Sequence, residues 1–180
     1  MSANLQFLIA GFGGQGILFS GKFLANGALL EDRQVSWLPS YGPEMRGGTA
    51  NCSVIISDMP IGSPIVADPD VVVVMNNPSF DKYEELLVPG GKAFIDSSLI
   101  TRQAVRTDIE AYYIPATQIA SDNGLDGLAN MVIIGNLIRK TGVVSWDNAE
   151  TLVRKIVPAK RPELIEYNLK ALDLGYNWEN

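Results

Sequence analysis

The chain has 180 residues, of which 47% are hydrophobic and 19% are charged, and its formal net charge is -6. This length and composition predict a single well-buried domain over residues 1–180. The acidic balance and the scattered Lys and Arg residues argue against a basic surface, so no nucleic-acid partner is expected. No apolar run is long enough to cross a bilayer, and no basic segment precedes an apolar one at the N-terminus, which predicts a cytoplasmic protein with no membrane association.

Residue types that are missing narrow the chemistry further. The sequence contains no histidine, and Cys52 is its only cysteine. The chain alone therefore cannot form an internal disulfide, a four-thiolate iron-sulfur cluster, a zinc site of Cys and His, or a nucleophile-histidine pair. Any metal or general base for redox or acyl chemistry must then belong to another subunit. Cys52 lies in an apolar, strand-like run, which favours a small buried core residue over a reactive thiol.

The first predicted elements are a strand, a tight turn and a helix. The apolar run Phe7–Ala10 predicts the strand and Ile17–Leu30 the helix, with Gly11–Gly16 between them. This turn fits the pattern G-x-G-x-x-G, whose glycines permit a tight turn, a close approach to phosphate and close packing of helix on strand. The candidate contact residues of the turn are Gly13, Gly14, Gln15 and Gly16.

Dinucleotide binding requires more than this glycine pattern. A second strand should end in an acid that holds a ribose hydroxyl, but the predicted strand Gln34–Leu38 runs into a Pro-Ser-Tyr sequence. Glu31 and Asp32 come before that strand and are too early. Two other interpretations are therefore preferred to NAD binding. Either the helix N-terminus receives another anion, with the Gln15 amide as a donor, or the turn serves packing alone.

The rest of the chain alternates between strands and helices. Strands are predicted at Cys52–Ser57, Val71–Met75, Lys92–Asp96 and Ala111–Ile114, and helices from Pro78, near Thr117–Ser121, from Asp126 to Ile138, over Ala149–Ile156 and after Pro162. Ser145 is the predicted cap of the helix before Pro158, and Gly175 the predicted stop of the last helix. This order predicts an α/β fold with three layers, a mostly parallel central sheet and helices on both faces, which is Rossmann-like.

A second glycine-rich segment, Ser40–Gly48, separates two strands that read as buried. It holds one carboxylate, Glu44, and one guanidinium, Arg46, and two glycines follow Arg46 directly. Because glycine has no side chain, an anion or a partner backbone could approach the guanidinium and the neighbouring N–H groups closely. Long ordered loops in compact domains are usually functional. The candidate contact residues here are Tyr41, Glu44, Arg46, Gly47 and Gly48.

These motifs resemble a known family. The chain is similar to the gamma subunit of 2-oxoacid:ferredoxin (or acceptor) oxidoreductases, and the likeness covers nearly its whole length in the right order. The Glu-x-Arg-Gly-Gly element with its downstream Ser-Pro is the most specific part. The residues that carry the resemblance are Gly11–Gly16, Tyr41–Gly48, Ile61–Pro64 with Ala67 and Asp68, and the C-terminal Asn168, Ala171 and Gly175.

The resemblance implies a noncatalytic subunit of a thiamine-diphosphate enzyme. That enzyme converts a 2-oxoacid, coenzyme A and oxidised ferredoxin into an acyl-CoA, carbon dioxide and reduced ferredoxin. The alpha and beta subunits, and in some enzymes a ferredoxin-like delta subunit, would be the partners and would hold the thiamine diphosphate, its Mg and the iron-sulfur clusters. The resemblance favours 2-oxoglutarate over pyruvate or 2-oxoisovalerate, and it implies that the isolated chain is inactive. Without its partners the chain could form a homodimer.

Each candidate residue also has a purely structural interpretation. Arg46 could bind a coenzyme A phosphate or a carboxylate of a neighbouring subunit, or it could pair with Glu44 and brace its own loop. Tyr41 could stack on an adenine, although burial at a subunit interface is preferred. Asn168 is expected to satisfy a backbone group or to cap a neighbouring element. No catalytic residue and no metal ligand is assigned.

Two other classes of function stay open at this point. The G-x-G-x-x-G pattern is compatible with a freestanding dinucleotide-dependent reductase, and the same loops are compatible with a small regulatory domain that binds a nucleotide. The first predicts nicotinamide binding by the isolated chain, whereas an oxidoreductase subunit predicts inactivity alone.

Overall fold

The computed structural model describes residues 4–40 and 49–179. In them, six strands form one sheet in the order β2-β3-β1-β4-β5-β6. Strands β1, β4, β5 and β6 pair in parallel, whereas β3 is antiparallel to both β1 and β2. The strands are β1 (Asn4–Phe12), β2 (Gln34–Ser40), β3 (Thr49–Ser57), β4 (Val71–Val74), β5 (Lys92–Asp96) and β6 (Glu110–Ile114). The predicted mostly parallel α/β sheet is confirmed, and its antiparallel part lies at the β2 end.

Helices follow the strands in the predicted order. They are α1 (Ile17–Leu30), α2 (Asn77–Tyr83), α3 (Ala116–Asp122), α4 (Ala129–Thr141), α5 (Ala149–Ile156) and α6 (Glu163–Tyr176). The side-chain oxygen of Asn76 accepts a hydrogen bond from the Ser79 N–H at 2.8 Å and caps α2. Among the described residues, no helix is both long and apolar enough to traverse a lipid bilayer.

Two apolar cores sandwich the sheet. On one face, alternate side chains of the central strands, such as Phe7, Val54 and Phe94, pack with α1, α3, α4, α5 and α6. On the other face, Leu8 and Val72 belong to a smaller core with α2 and the segment that follows β5. Every residue of β4 is buried, because this strand is covered on both faces. The fold therefore has three layers.

Helices α4 and α6 approach each other at two glycines. A Cβ atom at Gly135 would overlap the Leu172 carbonyl oxygen, and one at Gly175 would overlap the Val132 carbonyl oxygen. The absence of a side chain at Gly135 and at Gly175 therefore allows the two helices to pack closely. The prediction that Gly175 stops the last helix is wrong, because α6 continues to Tyr176 and Gly175 lies inside it.

Two further helix boundaries differ from the prediction. Helix α4 begins at Ala129 rather than Asp126, since Gly127 has a φ of +85° and cannot belong to a right-handed helix. Ser145 does not cap α5 with its side chain. Its N–H donates instead to Glu31 Oε1 at 2.6 Å, which ties the start of the α5 region to the end of α1. A 3-10 turn, Trp146–Asn148, precedes α5.

Candidate functional site

The glycine turn Gly11–Gly16 lies at the carboxyl end of β1, and the Gln15 side chain fixes it there. Gln15 Oε1 accepts a hydrogen bond from the Phe12 N–H at 2.6 Å, and Gln15 Nε2 donates to the Met75 carbonyl oxygen at 2.9 Å. Met75 follows β4 directly, and β4 is the parallel neighbour of β1. The amide therefore bridges the ends of two adjacent strands, so both its oxygen and its nitrogen have partners inside the protein.

The glycines of the turn have distinct roles. Gly14 and Gly16 have φ values of +93° and +75°, in the region that L-residues other than glycine rarely adopt. A Cβ at Gly16 would lie 2.5 Å from Asn130 Nδ2, whereas one at Gly14 would meet nothing within 4 Å. Gly11 leaves room for Gln15, because a Cβ there would be 2.6 Å from Gln15 Oε1. The predicted packing role of the turn thus has a concrete geometry.

Asn130 of α4 holds the start of α1 in place. Its Nδ2 donates to the Gly16 carbonyl oxygen at 3.2 Å and lies 3.1 Å from Ser20 Oγ, and the Ser20 hydroxyl donates to the same carbonyl. Asn130 is buried, and its Oδ1 has no hydrogen-bond partner among the described residues. Nothing local in the sequence links Asn130 to the turn, because 114 residues separate it from Gly16.

Open clefts flank the turn on both sides. One cleft of about 210 Å³ lies at the ends of β1 and β4, and its lining includes Gly14, Gln15 and Asp126. The other, about 330 Å³, adjoins the N-terminus of α1, and its lining includes Gly13 and Ala50. Gly13 and Gly14 therefore present backbone to open space, while Gln15 and Gly16 are held by internal contacts. The turn can offer backbone N–H groups to an anion or to a partner chain.

The strand register brings the second glycine-rich segment to the same place. Thr49 is the Cα partner of Phe12, and Ser40 is the partner of Asn51, which in turn is the partner of Ala10. The described residues on either side of positions 41–48 thus lie at the end of the sheet where the glycine turn lies. Five predicted contact residues fall outside the described residues, and these are Tyr41, Glu44, Arg46, Gly47 and Gly48.

Asp126 and Thr117 line the cleft beside the turn, and the Thr117 hydroxyl donates to a buried carboxylate. Asp96, at the end of β5, is fully buried and accepts hydrogen bonds from the Thr117 hydroxyl at 2.6 Å and the Thr117 N–H at 3.3 Å, so it fixes the start of α3. In residues 4–40 and 49–179, no group of three or more His, Cys, Asp or Glu side chains could hold a metal ion.

Two further expectations are confirmed. Cys52 is fully buried beneath Gly21, and burial raises the pKa of its thiol to about 12, although hydrogen bonding to Trp37 and to the Gly21 backbone acts in the opposite direction. It is a core residue, as predicted. Asn168 donates from Nδ2 to the Leu164 carbonyl oxygen at 2.7 Å and so satisfies a backbone group of its own helix.

Known proteins resemble this chain over most of its length. Residues 6–178 match the family described as pyruvate ferredoxin/flavodoxin oxidoreductase. The "2-oxoglutarate synthase subunit KorC" of Methanocaldococcus jannaschii is 40% identical over 95% of this chain and 91% of KorC. The "Ketoisovalerate oxidoreductase subunit VorA" of Methanothermobacter thermautotrophicus is also 40% identical, over 97% of this chain. This match spans only 36% of VorA, so the chain corresponds to about a third of that relative.

Solved structures agree with these sequence matches. The gamma subunit of a keto/oxoacid ferredoxin oxidoreductase from Geobacter sulfurreducens has a TM-score of 0.80 and 31% identity, with 96% of each chain covered. A 2-oxoglutarate:ferredoxin oxidoreductase from Magnetococcus marinus has the same fold, with a TM-score of 0.86 and 24% identity over 96% of this chain and 30% of that one. These matches give no support to a freestanding reductase or a regulatory nucleotide-binding domain. The chain belongs to the pyruvate ferredoxin/flavodoxin oxidoreductase family and is a relative of the gamma subunits of 2-oxoacid:ferredoxin oxidoreductases.

Proposed function

We propose that this chain is the noncatalytic gamma subunit of a 2-oxoacid:ferredoxin oxidoreductase, which forms an acyl-CoA, carbon dioxide and reduced ferredoxin from a 2-oxoacid, coenzyme A and oxidised ferredoxin. The observation that carries this proposal is the end-to-end likeness to KorC at 40% identity. The composition of the chain is consistent with it, since a polypeptide without histidine and with one buried cysteine offers no set of ligands for a cluster. The thiamine diphosphate, Mg and iron-sulfur clusters would belong to the alpha, beta and delta subunits.

The experiment that tests this role is reconstitution. The isolated chain should have no 2-oxoacid-dependent activity, and it should co-purify with thiamine-dependent and ferredoxin-like subunits when they are produced together. The complex should then reduce ferredoxin in a reaction that requires both a 2-oxoacid and coenzyme A, and omission of this chain should lower that rate. Turnover of a metabolite by the isolated chain, or failure to associate with such subunits, would contradict the proposal.

The proposed substrate is 2-oxoglutarate. The support is the name of KorC, the 2-oxoglutarate synthase subunit, because the match covers 91% of KorC as well as 95% of this chain. Relatives named for pyruvate and for ketoisovalerate also match, so the three acids should be compared directly in one purified complex. We expect the largest kcat/KM for 2-oxoglutarate. A larger value for pyruvate or 2-oxoisovalerate would contradict this choice while leaving the subunit assignment intact.

The glycine turn and residues 41–48 are proposed to form one contact surface. The support is the register, because Thr49 pairs with Phe12 and so starts beside the turn. The contact would be a coenzyme A phosphate or a neighbouring subunit, with Gly13, Gly14, Gln15 and Gly16 on one side and Tyr41, Glu44, Arg46, Gly47 and Gly48 on the other. The Magnetococcus enzyme of the same fold is described with 2-oxoglutarate, coenzyme A and succinyl-CoA bound.

Replacement of Arg46 separates these two contacts. If Arg46 binds a coenzyme A phosphate, Arg46→Ala should raise the KM for coenzyme A about tenfold or more, since one charge-assisted contact contributes roughly 1.5–3 kcal/mol. Assembly should stay intact. Loss of assembly would instead place Arg46 at a subunit interface. Arg154→Ala is the matched control, because Arg154 is exposed on α5 and pairs with Glu150 of the same helix. Equal behaviour of the two variants would contradict a contact role for Arg46.

Residues 1–180 are also proposed to act as one domain. The support is that elements from Asn4 to Tyr176 all contribute to the sheet or pack on it. A single urea transition, with coincident fluorescence and circular-dichroism curves, is the expected result. Two separated transitions would indicate two domains.

A further inference from the structure

One face of the sheet lacks a helix at its β2 end. Helix α1 covers β2 and β3 on the side of the larger core, where Val35, Val54 and Phe7 point toward it. On the opposite side, α2 and the segment after β5 pack only against the smaller core, to which β2 and β3 contribute no residue. No described helix therefore covers the second face of β2 and β3, and all residues of that face except Ile55 and Ser57 are at least partly exposed.

The residues on this open face carry no charge. Because side chains alternate along a strand and the register aligns the three strands, one face can be read directly from the pairing. This face consists of Asn4, Gln6, Leu8, Ala10 and Phe12 of β1, Gln34, Ser36, Leu38 and Ser40 of β2, and Thr49, Asn51, Ser53, Ile55 and Ser57 of β3. Leu8, Ala10, Ile55 and Ser57 are buried within the chain, and Leu8 and Ala10 belong to the smaller core, so the open part of the face comprises the other residues. In a chain with 19% charged residues and a net charge of -6, three adjoining strands without a charge are unusual. Charged residues are depleted in the centres of protein interfaces.

Large apolar side chains lie within this face. Phe12 is 41% exposed and Leu38 is 43% exposed. Leu38 is the Cα partner of Ser53, so these two residues adjoin in the open part of the face. Leu8, the partner of Ser53 on β1, is buried in the smaller core and marks where the open part ends. The combination of exposed apolar groups with hydroxyls and amides is suited to an uncharged, partly apolar partner surface and offers nothing to a polyanion.

The relatives indicate what covers the face. At the same 40% identity, the chain matches almost all of KorC but only 36% of VorA, so in VorA nearly two-thirds of the polypeptide is attached to this domain. We infer that the open face of β1, β2 and β3 docks the polypeptide equivalent to that remaining part of VorA, through uncharged apolar and amide contacts. This inference rests on the proposed function, because it assigns the surface through which the subunit joins its oxidoreductase.

The size of the face argues against a second copy as its occupant. Nine residues at about 3.4 Å and three strands at about 4.8 Å give a face of roughly 400 Å² at most, and the buried residues make its open part smaller. Two such faces would bury about 800 Å² in total, which is less than the roughly 1,200 Å² of a standard specific interface. A larger partner can extend beyond the three strands onto neighbouring elements, whereas a dimer through this face alone cannot.

Thiol protection tests the docking without disturbing the fold. Cys52 is buried, so a thiol introduced by Ser53→Cys should be the only one that an exposed-thiol reagent labels in the folded chain. Ser121→Cys, at an exposed position of α3 on the covered side of the sheet, is the matched control. In the reconstituted complex, labelling at position 53 should slow at least tenfold relative to the isolated chain, while labelling at position 121 should stay the same.

A charge placed on the face gives an independent readout. Leu38→Glu should raise the dissociation constant of the complex at least tenfold, whereas Leu29→Glu, at a residue 53% exposed on α1, should not. If the complex forms and position 53 labels at an unchanged rate, the inference is overturned and the subunit assignment stands. If no oxidoreductase subunit binds the wild-type chain, both fail. Concentration-dependent protection in the isolated chain would identify a second copy and would likewise overturn the inference.

Discussion

At the scale of single residues, alanine substitutions at Gly14 and Gly16 distinguish the cost of backbone strain from the cost of overpacking. Both have positive φ, so an alanine at either position should cost about 1–2 kcal/mol for the left-handed conformation. Only Gly16 also faces a neighbour, since its Cβ would lie 2.5 Å from Asn130 Nδ2. We expect Gly16→Ala to lower the free energy of unfolding by about 1 kcal/mol more than Gly14→Ala, as overpacking does.

Urea unfolding of the two variants measures this difference. Asn130→Ala should reduce the difference, because it removes the side chain that the new methyl group meets, and the coupling appears in a double-mutant cycle. Equal losses for Gly14→Ala and Gly16→Ala would show that the contact between Asn130 and the turn contributes nothing to stability.

The buried thiol predicts a pH dependence of stability. Burial raises the pKa of Cys52 from 9.0 to about 12, so above pH 9 the unfolded chain loses this proton while the folded chain keeps it. The free energy of unfolding should therefore fall by about 1.4 kcal/mol per pH unit above that point. The contribution is fully present at neutral pH. Tyr112, whose pKa burial raises to about 12, acts in the same direction at higher pH.

Urea midpoints at neutral pH and at about pH 10 test this expectation, with Cys52→Ser as the control that lacks the titrating thiol. The wild-type midpoint should fall more steeply with pH than that of the control. In the native state at mildly alkaline pH, the thiol should not react with an aromatic disulfide reagent, and one thiol per chain should react after unfolding. Rapid native labelling would mean that Cys52 is accessible.

At the scale of elements, the contact between α4 and α6 depends on two glycines. Gly135 and Gly175 each face a carbonyl oxygen of the other helix, Leu172 and Val132 respectively, and backbone cannot rotate away as a side chain can. We expect Gly135→Ala and Gly175→Ala to cost about 3 kcal/mol or more each, at the upper end for overpacking. Gly62→Ala should change stability by about 0.5 kcal/mol at most, since a Cβ there meets nothing within 4 Å.

The double variant distinguishes packing from helix propensity. Once one alanine separates the helices, the second should cost less, so the two losses should not add. Thermal and urea unfolding of the single and double variants measure these losses. Additive small losses, close to those of Gly62→Ala, would mean that the two helices do not approach as closely as the structure has them.

Local patterns predicted most of these elements but not their contacts. Helix α1 has the predicted bounds because a glycine-rich turn precedes an apolar helical run. Glycine in a last turn commonly ends a helix, which predicts Gly175 as a stop, but glycine is required there because a Cβ atom would overlap the distant Val132 carbonyl oxygen. Ser145 failed as a cap for a similar reason, since Glu31, which is 114 residues away, binds its N–H. Periodicity and turn chemistry are local, whereas these choices are made by long-range packing.

In the candidate site too, local features could be predicted from the sequence, whereas long-range contacts could not. The sequence predicted the glycine turn, with packing as one of two preferred interpretations, because glycine spacing is visible in the chain. The internal use of the Gln15 amide depends on Met75, and the support of Gly16 depends on Asn130, both far along the sequence. Their proximity follows from the parallel pairing of β1 with β4 and from the packing of α4, which composition and spacing do not specify.

At the scale of the whole molecule, the strand order creates the crevice where doubly wound folds bind ligands. The chain leaves β1 toward β2 on one side, whereas it leaves β4 toward β5 on the other, so the carboxyl ends of β1 and β4 form a topological switch point. Gln15 bridges the two strands at that point. Such a position is typical of a cofactor site. Here the Gln15 side chain occupies it and forms hydrogen bonds with the backbone of its own chain.

This arrangement predicts that the isolated chain does not bind nicotinamide dinucleotides. β2 ends at Ser40 without an acid to hold a ribose hydroxyl, and Asp126 lines the cleft beside Gly14, where its carboxylate would repel a pyrophosphate. Titration calorimetry with NADH and NADPH should give only heats of dilution, with a dinucleotide-dependent dehydrogenase as the positive control. Binding in the micromolar range would restore the reductase hypothesis.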